Sequence, residues 1–274
     1  MRGTSSIAGR LAADISLSVC SYGEEVWSGR QSTEQFLDAA VGHGFSAVEL
    51  LDRSIRDPDA VRIQLADRHL TVPSVAVRSD FTGAAGTVAA SVDHVRTWAS
   101  IAADLDCRLV RVWTGWQADG PAVRRQIAEA MAKVVASAVD VGVTVAVETH
   151  GGASNDPEFM VELCRPYPRD VLGVCLDFGN LPAPTRRDAI ERLAPVTNHV
   201  HVKSYEFDAD GRETTVPLEW AVRTVSATGF DAQWVIEYEG APPHDEGIVN
   251  TVRVLASALD RDRHPGADDV PAGG

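Results

Sequence analysis

Residues 143–152 read VTVAVETHGG. Val143, Val145 and Val147 share one face of an extended chain while Thr144, Ala146 and Glu148 share the other, because successive side chains alternate across a strand. A β-branched run that ends in a carboxylate and breaks at His-Gly-Gly has the form of a buried parallel strand whose carboxyl end carries chemistry. Three later stretches repeat that form: GVCLDFGN with Asp177, HVHVKS with His201 and QWVIEYEG with Glu237.

Outward from these four, the pattern predicts strands over 15–22, 46–50, 71–77, 107–113, 143–148, 171–177, 197–203 and 233–238. Helices fall between them. Ser32 or Thr33 caps one that Gly44 stops, Asp57 and Pro58 open the next, and others cover 86–105 and 121–141. The rest start at about Asp156, Arg186, Leu218 and Glu246. Eight strands, each followed by a helix, make an α/β chain that closes as a single-domain (β/α)8 TIM barrel over 14–258. A doubly wound sheet would also alternate, but no Gly-rich dinucleotide or phosphate loop follows any strand. Residues 1–13 read as a lead-in and the charged, Pro/Gly-rich 259–274 as a disordered tail.

With 25 Lys+Arg against 39 Asp+Glu the net charge is −14, which opposes a nucleic-acid backbone or an anionic membrane surface. No C-x-x-C pair joins Cys20, Cys107, Cys164 and Cys175, so they read as reduced thiols of a cytoplasmic protein. Neither a secretion signal nor an apolar run long enough for a membrane span is visible. The partner expected is therefore a small molecule, with a homo-oligomer or a partner subunit left open.

Separating the strand phases places small or apolar residues low in the lumen and charged ones near its top. That top layer is expected to hold Glu49, Glu148, Asp177, Glu237 and Glu239 against Arg78, Arg111 and Lys203, an excess of two negative charges. Enclosed charges must shift their pKa values, pair, or bind a cation. Strands five to eight are consecutive around a barrel, so Glu148, Asp177, His201 and Glu237 converge on one quadrant. Three carboxylates and one imidazole suit Mn²⁺ first, with Mg²⁺ or Co²⁺ as alternatives, and leave coordination positions for substrate oxygens. The competing reading is a set of structural ion pairs, which four in-phase residues on adjacent strands disfavour. His199, one layer deeper, reads as a hydrogen-bonded core group, and 208–211 as a polar turn. Trp113 and Trp116 either stack on a sugar ring or pack, while His150 and Asn180 either contact substrate hydroxyls or close their loops.

On GFSAVEL (44–50), LVRVWTGW (109–116), VAVETHGG (145–152), VCLDFGN (174–180), HVHVKS (199–204) and VIEYEG (235–240), the chain resembles the sugar phosphate isomerase/epimerase superfamily. These are the xylose isomerase-like TIM barrels that include ketose 3-epimerases, hydroxypyruvate isomerase and inosose dehydratase. The resemblance implies metal ligands at Glu148, Asp177, His201 and Glu237, with Glu148 and Glu237 also the acid/base pair. Asn180 stands where ketose 3-epimerases carry a His, and Ser204 where an Asp is frequent, so the substrate stays open.

The function expected is a divalent-metal-dependent isomerase or epimerase of a sugar or related polyol ketone, working through proton abstraction α to a carbonyl and an enediolate. Lys203 and Arg111 would add positive charge to the oxyanion or hold a distal substrate group. A dehydratase or lyase, including one that cleaves oxidised glycosides, shares that intermediate. An abasic-site endonuclease on the same barrel would need more converging histidines and a basic face, and a non-catalytic binding barrel is the remaining alternative.

Overall fold

The computed structural model describes residues 14–117 and 119–263, with side chains as far as Asp260. Eight parallel strands close into one barrel in sequence order: β1 (Ile15–Ser18), β2 (Val48–Leu51), β3 (Val75–Val77), β4 (Leu109–Val112), β5 (Thr144–Glu148), β6 (Leu172–Asp177), β7 (Thr197–Ser204) and β8 (Trp234–Tyr238). Helices α1 (Gly23–Trp27) and α2 (Thr33–Gly42) follow β1, and one helix follows each later strand. These are α3 (Pro58–Asp67), α4 (Ala85–Asp104), α5 (Pro121–Val139), α6 (Pro157–Cys164), α7 (Arg186–Leu193), α8 (Leu218–Ser226) and α9 (His244–Arg263). Among the described residues no helix is long and apolar enough to cross a membrane, and all four cysteines are free.

Local chemistry explains the helix starts. Ser32 accepts from the Gln35 backbone while Gln35 returns a bond to the Ser32 N–H, satisfying two N–H groups that the first turn leaves over. Asp57 and Asp156 cap α3 and α6, each with Pro next, where a missing N–H costs nothing. The outward faces of the strands, including Leu17, Val48, Leu50, Val75, Val110, Val145, Val147, Val200, Val202 and Ile236, are fully buried against the helices. That layer between barrel and helices is the main apolar core.

The ring has one irregularity, and it helps place the site. Between β6 and β7 the register slips, with Val174 opposite Thr197 but Cys175 opposite His199. Asn198 is the extra residue. Its amide donates to the carbonyls of Val145 and Arg169 at 3.1 and 3.0 Å, and it occupies the space where a Cβ on Gly173 would stand. Beyond this bulge Asp177 lies directly opposite His201. Gly173→Ala must displace the Asn198 amide and take its donor from the buried Val145 carbonyl and the partly buried Arg169 carbonyl. We expect a loss of about 2 kcal/mol or more, read as a lower urea midpoint at unchanged slope; an unchanged midpoint would contradict the role given to Asn198.

Several sequence expectations need correction. Strand one ends at Ser18, because the Ser18 hydroxyl accepts the Cys20 N–H and turns the chain into a 3₁₀ helix over Val19–Tyr22. Tyr22 consequently lies beyond the end of the strand, donating to Asp245 at 2.6 Å and meeting His43 at 3.1 Å. Helix α9 continues to Arg263, five residues into the expected tail, with Leu259 packed on the core; the remainder of that tail and the lead-in over 1–13 lie outside the described residues. The turn at 208–211 is polar, as expected, with Asp208 accepting from the Asp210 and Arg212 backbones.

Candidate functional site

The carboxyl ends of β5 to β8 deliver four side chains to one point. Glu148, Asp177, His201 and Glu237 each offer a ligand-type atom, all within 4.8 Å of one another and all buried. His201 Nδ1 is the hub, 3.1 Å from Glu148 Oε1, 3.1 Å from Glu237 Oε2 and 3.6 Å from Asp177 Oδ2. Strand register accounts for the convergence: Asp177 pairs with His201, and Lys203, two residues on, pairs with Glu237.

Whether these residues fit a metal ion is answered by what they leave unsatisfied. Glu148 Oε2, Asp177 Oδ2, His201 Nδ1 and Glu237 Oε2 are buried without a hydrogen-bond partner, one atom from each side chain. Buried polar atoms rarely go unpaired, and four together mark a place for a ligand. Asp177 Oδ1 accepts the backbone N–H groups of Gly179 and Asn180 at 2.8 and 2.9 Å, which fixes its carboxylate and turns Oδ2 toward His201 and Lys203. Three oxygens and one imidazole nitrogen suit a hard or borderline divalent cation.

Beneath the cluster lies Glu49, fully buried. Sequence phases put Glu49 in the charged top layer, but β2 is short and the residue sits on the inner side of His201. It accepts from Ser18 and Ser74 at 3.2 and 2.8 Å and contacts Nε2 of both His199 and His201 at 3.0 and 3.1 Å. Burial alone would raise its pKa, yet His201 and His199 hold it well below the ordinary range. A carboxylate only accepts, so both Nε2 atoms carry protons, and His201 presents Nδ1 to the cluster. His199 is thus the hydrogen-bonded core group expected from sequence. Burial also works against a charged His201, but the acids around it, Glu49 and Glu237 among them, prevail and raise its pKa well above 6.5. The Nδ1 position therefore attracts a cation, whether proton or metal.

Replacing Glu49 by Gln would set an amide donor against groups that themselves donate, loosening His201. We expect metal affinity to fall about 10- to 100-fold, the usual effect of losing such a supporting carboxylate. Titration of Mn²⁺ into both proteins checks this, and equal affinities would show that Glu49 merely fills the core.

Two cations balance part of the charge. Arg111 lies 3.2 Å from Glu148 Oε2. Lys203 lies 3.2 Å from Asp177, 3.3 Å from Glu237 and 3.2 Å from Glu239, and donates to Asn180 Oδ1 at 3.1 Å. Burial would raise the carboxyls of Glu148 and Glu237. Arg111 and His201 nevertheless keep the first below its ordinary value, and Lys203 and His201 keep the second well below. At the rim Glu239 behaves oppositely: burial, reinforced by Glu237, pushes it up to about 7. Arg78, expected in this layer, instead turns to Asp52 at 3.0 Å and is half exposed. With Glu49 below and Arg78 aside, four carboxylates face Arg111 and Lys203, a formal excess of two negative charges with His201 counted neutral and Glu239 ionised, which protonation of either group reduces.

A cavity of about 350 Å³ opens above these groups, within the range of small-molecule sites. Trp113 and His150 form part of its wall, stacked at 4.9 Å with 28° between planes, while Trp116 meets the His150 edge at 4.7 Å and is itself exposed. Asn180 stands beside Lys203, its amide nitrogen buried and unpartnered. Ser204 faces the other way, bonded to Thr251 of α9 at 2.6 Å, so the difference from the ketose 3-epimerases at that position lies outside the site. Sequence reading missed Arg186, whose guanidinium holds the β6–α7 loop through the carbonyls of Gly179, Leu181 and Thr215. Its place at the start of a surface helix gave no sign of this.

Comparison with known proteins agrees with the architecture. The model of the xylose isomerase-like TIM barrel family matches residues 37–258. A search of curated protein sequences finds no match. Among solved structures, an L-ribulose 3-epimerase is 18% identical, with 94% of this chain and 99% of that chain covered at a TM-score of 0.71. A xylose isomerase-like TIM barrel protein from Mycobacterium smegmatis in complex with magnesium is 18% identical, covering 90% and 97% at 0.67. The probable 3-DHS dehydratase AsbF from Bacillus anthracis is 17% identical, covering 92% and 100% at 0.66. At such identities the likeness is one of fold.

Proposed function

Because the chain belongs to the xylose isomerase-like TIM barrel family, and its barrel mouth gathers four unsatisfied ligand atoms, we propose that it is a divalent-metal-dependent isomerase or epimerase. Its substrate is a sugar or related polyol ketone. The observation that carries this reading is the meeting of Glu148, Asp177, His201 and Glu237, whose ligand-type atoms all lie within 4.8 Å of one another. These residues would hold the ion, Mn²⁺ first and Mg²⁺ or Co²⁺ as alternatives, which when bound polarises a substrate carbonyl and its neighbouring hydroxyl.

The chain's own residues do the proton chemistry. Glu148 and Glu237 stand ionised at neutral pH under the influence of Arg111, Lys203 and His201, so either can accept the proton α to the carbonyl. The second glutamate must first take a proton from solvent; its delivery to the opposite face of the same carbon gives an epimer, and return of a proton to the adjacent carbon gives an isomer. Arg111 and Lys203 lie where they stabilise negative charge on the enediolate oxygens. Trp113 and His150 offer a flat wall for the apolar face of a sugar, and Asn180 Nδ2 an unused donor for a hydroxyl.

A second reading, a dehydratase or lyase that includes cleavage of oxidised glycosides, is favoured by Glu239. A carboxyl with a pKa of about 7 beside Glu237 can supply the proton that a β leaving group needs. Incubating the Mn²⁺-loaded protein with trial ketoses and oxidised glycosides in D₂O separates the two by NMR. Exchange of the α proton with a new epimer or isomer supports the first, and an unsaturated product with a released group the second. Absence of exchange across the panel with all three ions would overturn both.

A further inference from the structure

Across the barrel mouth from the ligand cluster, at the exit of β2, stands a guanidinium with no acidic partner. Arg53 lines the same cavity as Glu148 and Glu237, and its Cζ lies 3.6 Å from the centre of the Trp27 ring. Among the described residues no carboxylate lies within ion-pair distance of it. The other charges on that wall are engaged: Glu24 with Arg30, Glu148 with Arg111, and Glu237 and Glu239 with Lys203.

The surroundings are built to hold this charge in place. Asp52, buried at the end of β2, accepts the backbone N–H of Arg53 at 2.6 Å, the backbone and Nε of Arg78 at 3.2 and 3.0 Å, and contacts His94 Nε2 at 2.7 Å. Its oxygens are thus fully used by the Arg53 backbone, Arg78 and His94, and none is left for the Arg53 guanidinium. Stacking on an indole fixes the guanidinium plane and leaves its edge N–H groups free to donate as a fork, the geometry that matches a planar or tetrahedral oxyanion. In a chain of net charge −14, an unpaired guanidinium lining a cavity sets a local positive potential where an anion can reach it.

We propose that Arg53, on its Trp27 platform, binds an oxyanion at the end of the substrate remote from the reacting carbonyl. The substrate class is then a sugar acid or a sugar phosphate rather than a neutral ketose. This rests on the reaction class proposed above and adds to it. One end of the substrate sits at the β5–β8 cluster, and the other is held from β2, on the opposite side of the closed ring. A carboxylate and a phosphate share the recognised chemistry, so the experiment distinguishes them.

Calorimetric titration of the Mn²⁺-loaded protein with D-fructose, D-fructuronate and D-fructose 6-phosphate, at one pH and ionic strength, tests the idea. Arg53→Met, which keeps an unbranched stem over Trp27, and Arg53→Lys are titrated alongside, with melting temperature and Mn²⁺ affinity as controls. At least one anionic sugar should bind about 10- to 100-fold more tightly than fructose, the value of a charge-assisted hydrogen-bonded pair. That advantage should vanish in Arg53→Met and partly return in Arg53→Lys, while fructose affinity, Mn²⁺ affinity and melting temperature stay as they were. Preference for fructuronate identifies a carboxylate, and preference for the phosphate ester a phosphoryl group. Anions that bind no better than fructose, that bind undetectably, or that keep their advantage in Arg53→Met overturn the proposal. Proton exchange keeps the two readings apart: exchange with no Arg53 dependence removes the anion site alone, whereas Arg53-dependent binding with no exchange removes the isomerase reading alone.

Discussion

Glu148→Gln and Glu237→Gln should each lower turnover by about 10²- to 10⁴-fold, the usual consequence of removing a general base, while the protein stays folded and still binds divalent metal. Each glutamate has one oxygen near His201 Nδ1, and each is kept ionised by a neighbouring cation, Arg111 or Lys203. Glutamine retains the length of the side chain and one ligand oxygen but has no basic atom. Its amide must also turn its oxygen toward the cation, so metal affinity falls, though by less than turnover. Pairing a Mn²⁺ titration with the exchange rate of the substrate α proton separates the two losses. If both variants bind metal and exchange that proton at the parent rate, neither glutamate is the base, and the mechanism fails even with the fold and cluster intact.

The two variants need not behave alike, and the difference carries information. An epimerase uses one base to remove the proton and the other to return one on the opposite face. The variant lacking the first base then loses exchange, whereas the variant lacking the second exchanges without forming product. Loss of exchange in both means that each glutamate serves as base for one direction of the reaction.

How the four converging residues came to be visible in the sequence explains why other parts of the site were not. Period-two alternation in a parallel barrel separates lumen from helix side without any knowledge of tertiary contacts, and β5 to β8 keep that alternation up to the residue that matters. Where a strand stops early, the rule stops with it. β1 ends at Ser18 because a hydroxyl captures a backbone N–H, an event that alternation does not encode, so the strand expected over 15–22 stops four residues short of Tyr22. Height within the barrel is also hidden. Glu49 has the right phase, but its level follows from the pairing of β1 with β2, Ser18 opposite Glu49, and that stagger places it under His201 rather than beside it. Asp52, Trp27 and Arg53 lie beyond the ends of strands, where side-chain direction depends on loop geometry and no period applies. The bulge at Asn198 shows the opposite case, since HVHVKS holds its phase only because one extra residue precedes it.

Removing metal should abolish turnover and lower the melting temperature, with Mn²⁺, Co²⁺ or Mg²⁺ restoring both. With His201 neutral, the carboxylates of the layer outnumber Arg111 and Lys203 and repel one another, and a divalent ion cancels that excess while giving a ligand to the four buried atoms that otherwise lack hydrogen-bond partners. A ligand that binds only the folded chain stabilises it by about 2.7 kcal/mol at a hundred times its dissociation constant. At about 2–4 °C per kcal/mol for a chain near this size, the shift is roughly 5–10 °C. Acid should weaken the effect, because the ligands must be deprotonated to bind. Differential scanning calorimetry of chelator-treated protein, with and without each ion, reads the shift directly. His201→Ala serves as the control: it should melt at nearly the same temperature with and without metal, since it removes one of the four converging side chains, whereas Asp177→Asn, which keeps one ligand oxygen, should show a smaller shift than the parent. A metal-free protein that melts where the loaded one does and keeps full turnover would mean that Lys203, Arg111 and a protonated His201 already neutralise the layer, and that the cluster is an ion-pair network rather than a metal site.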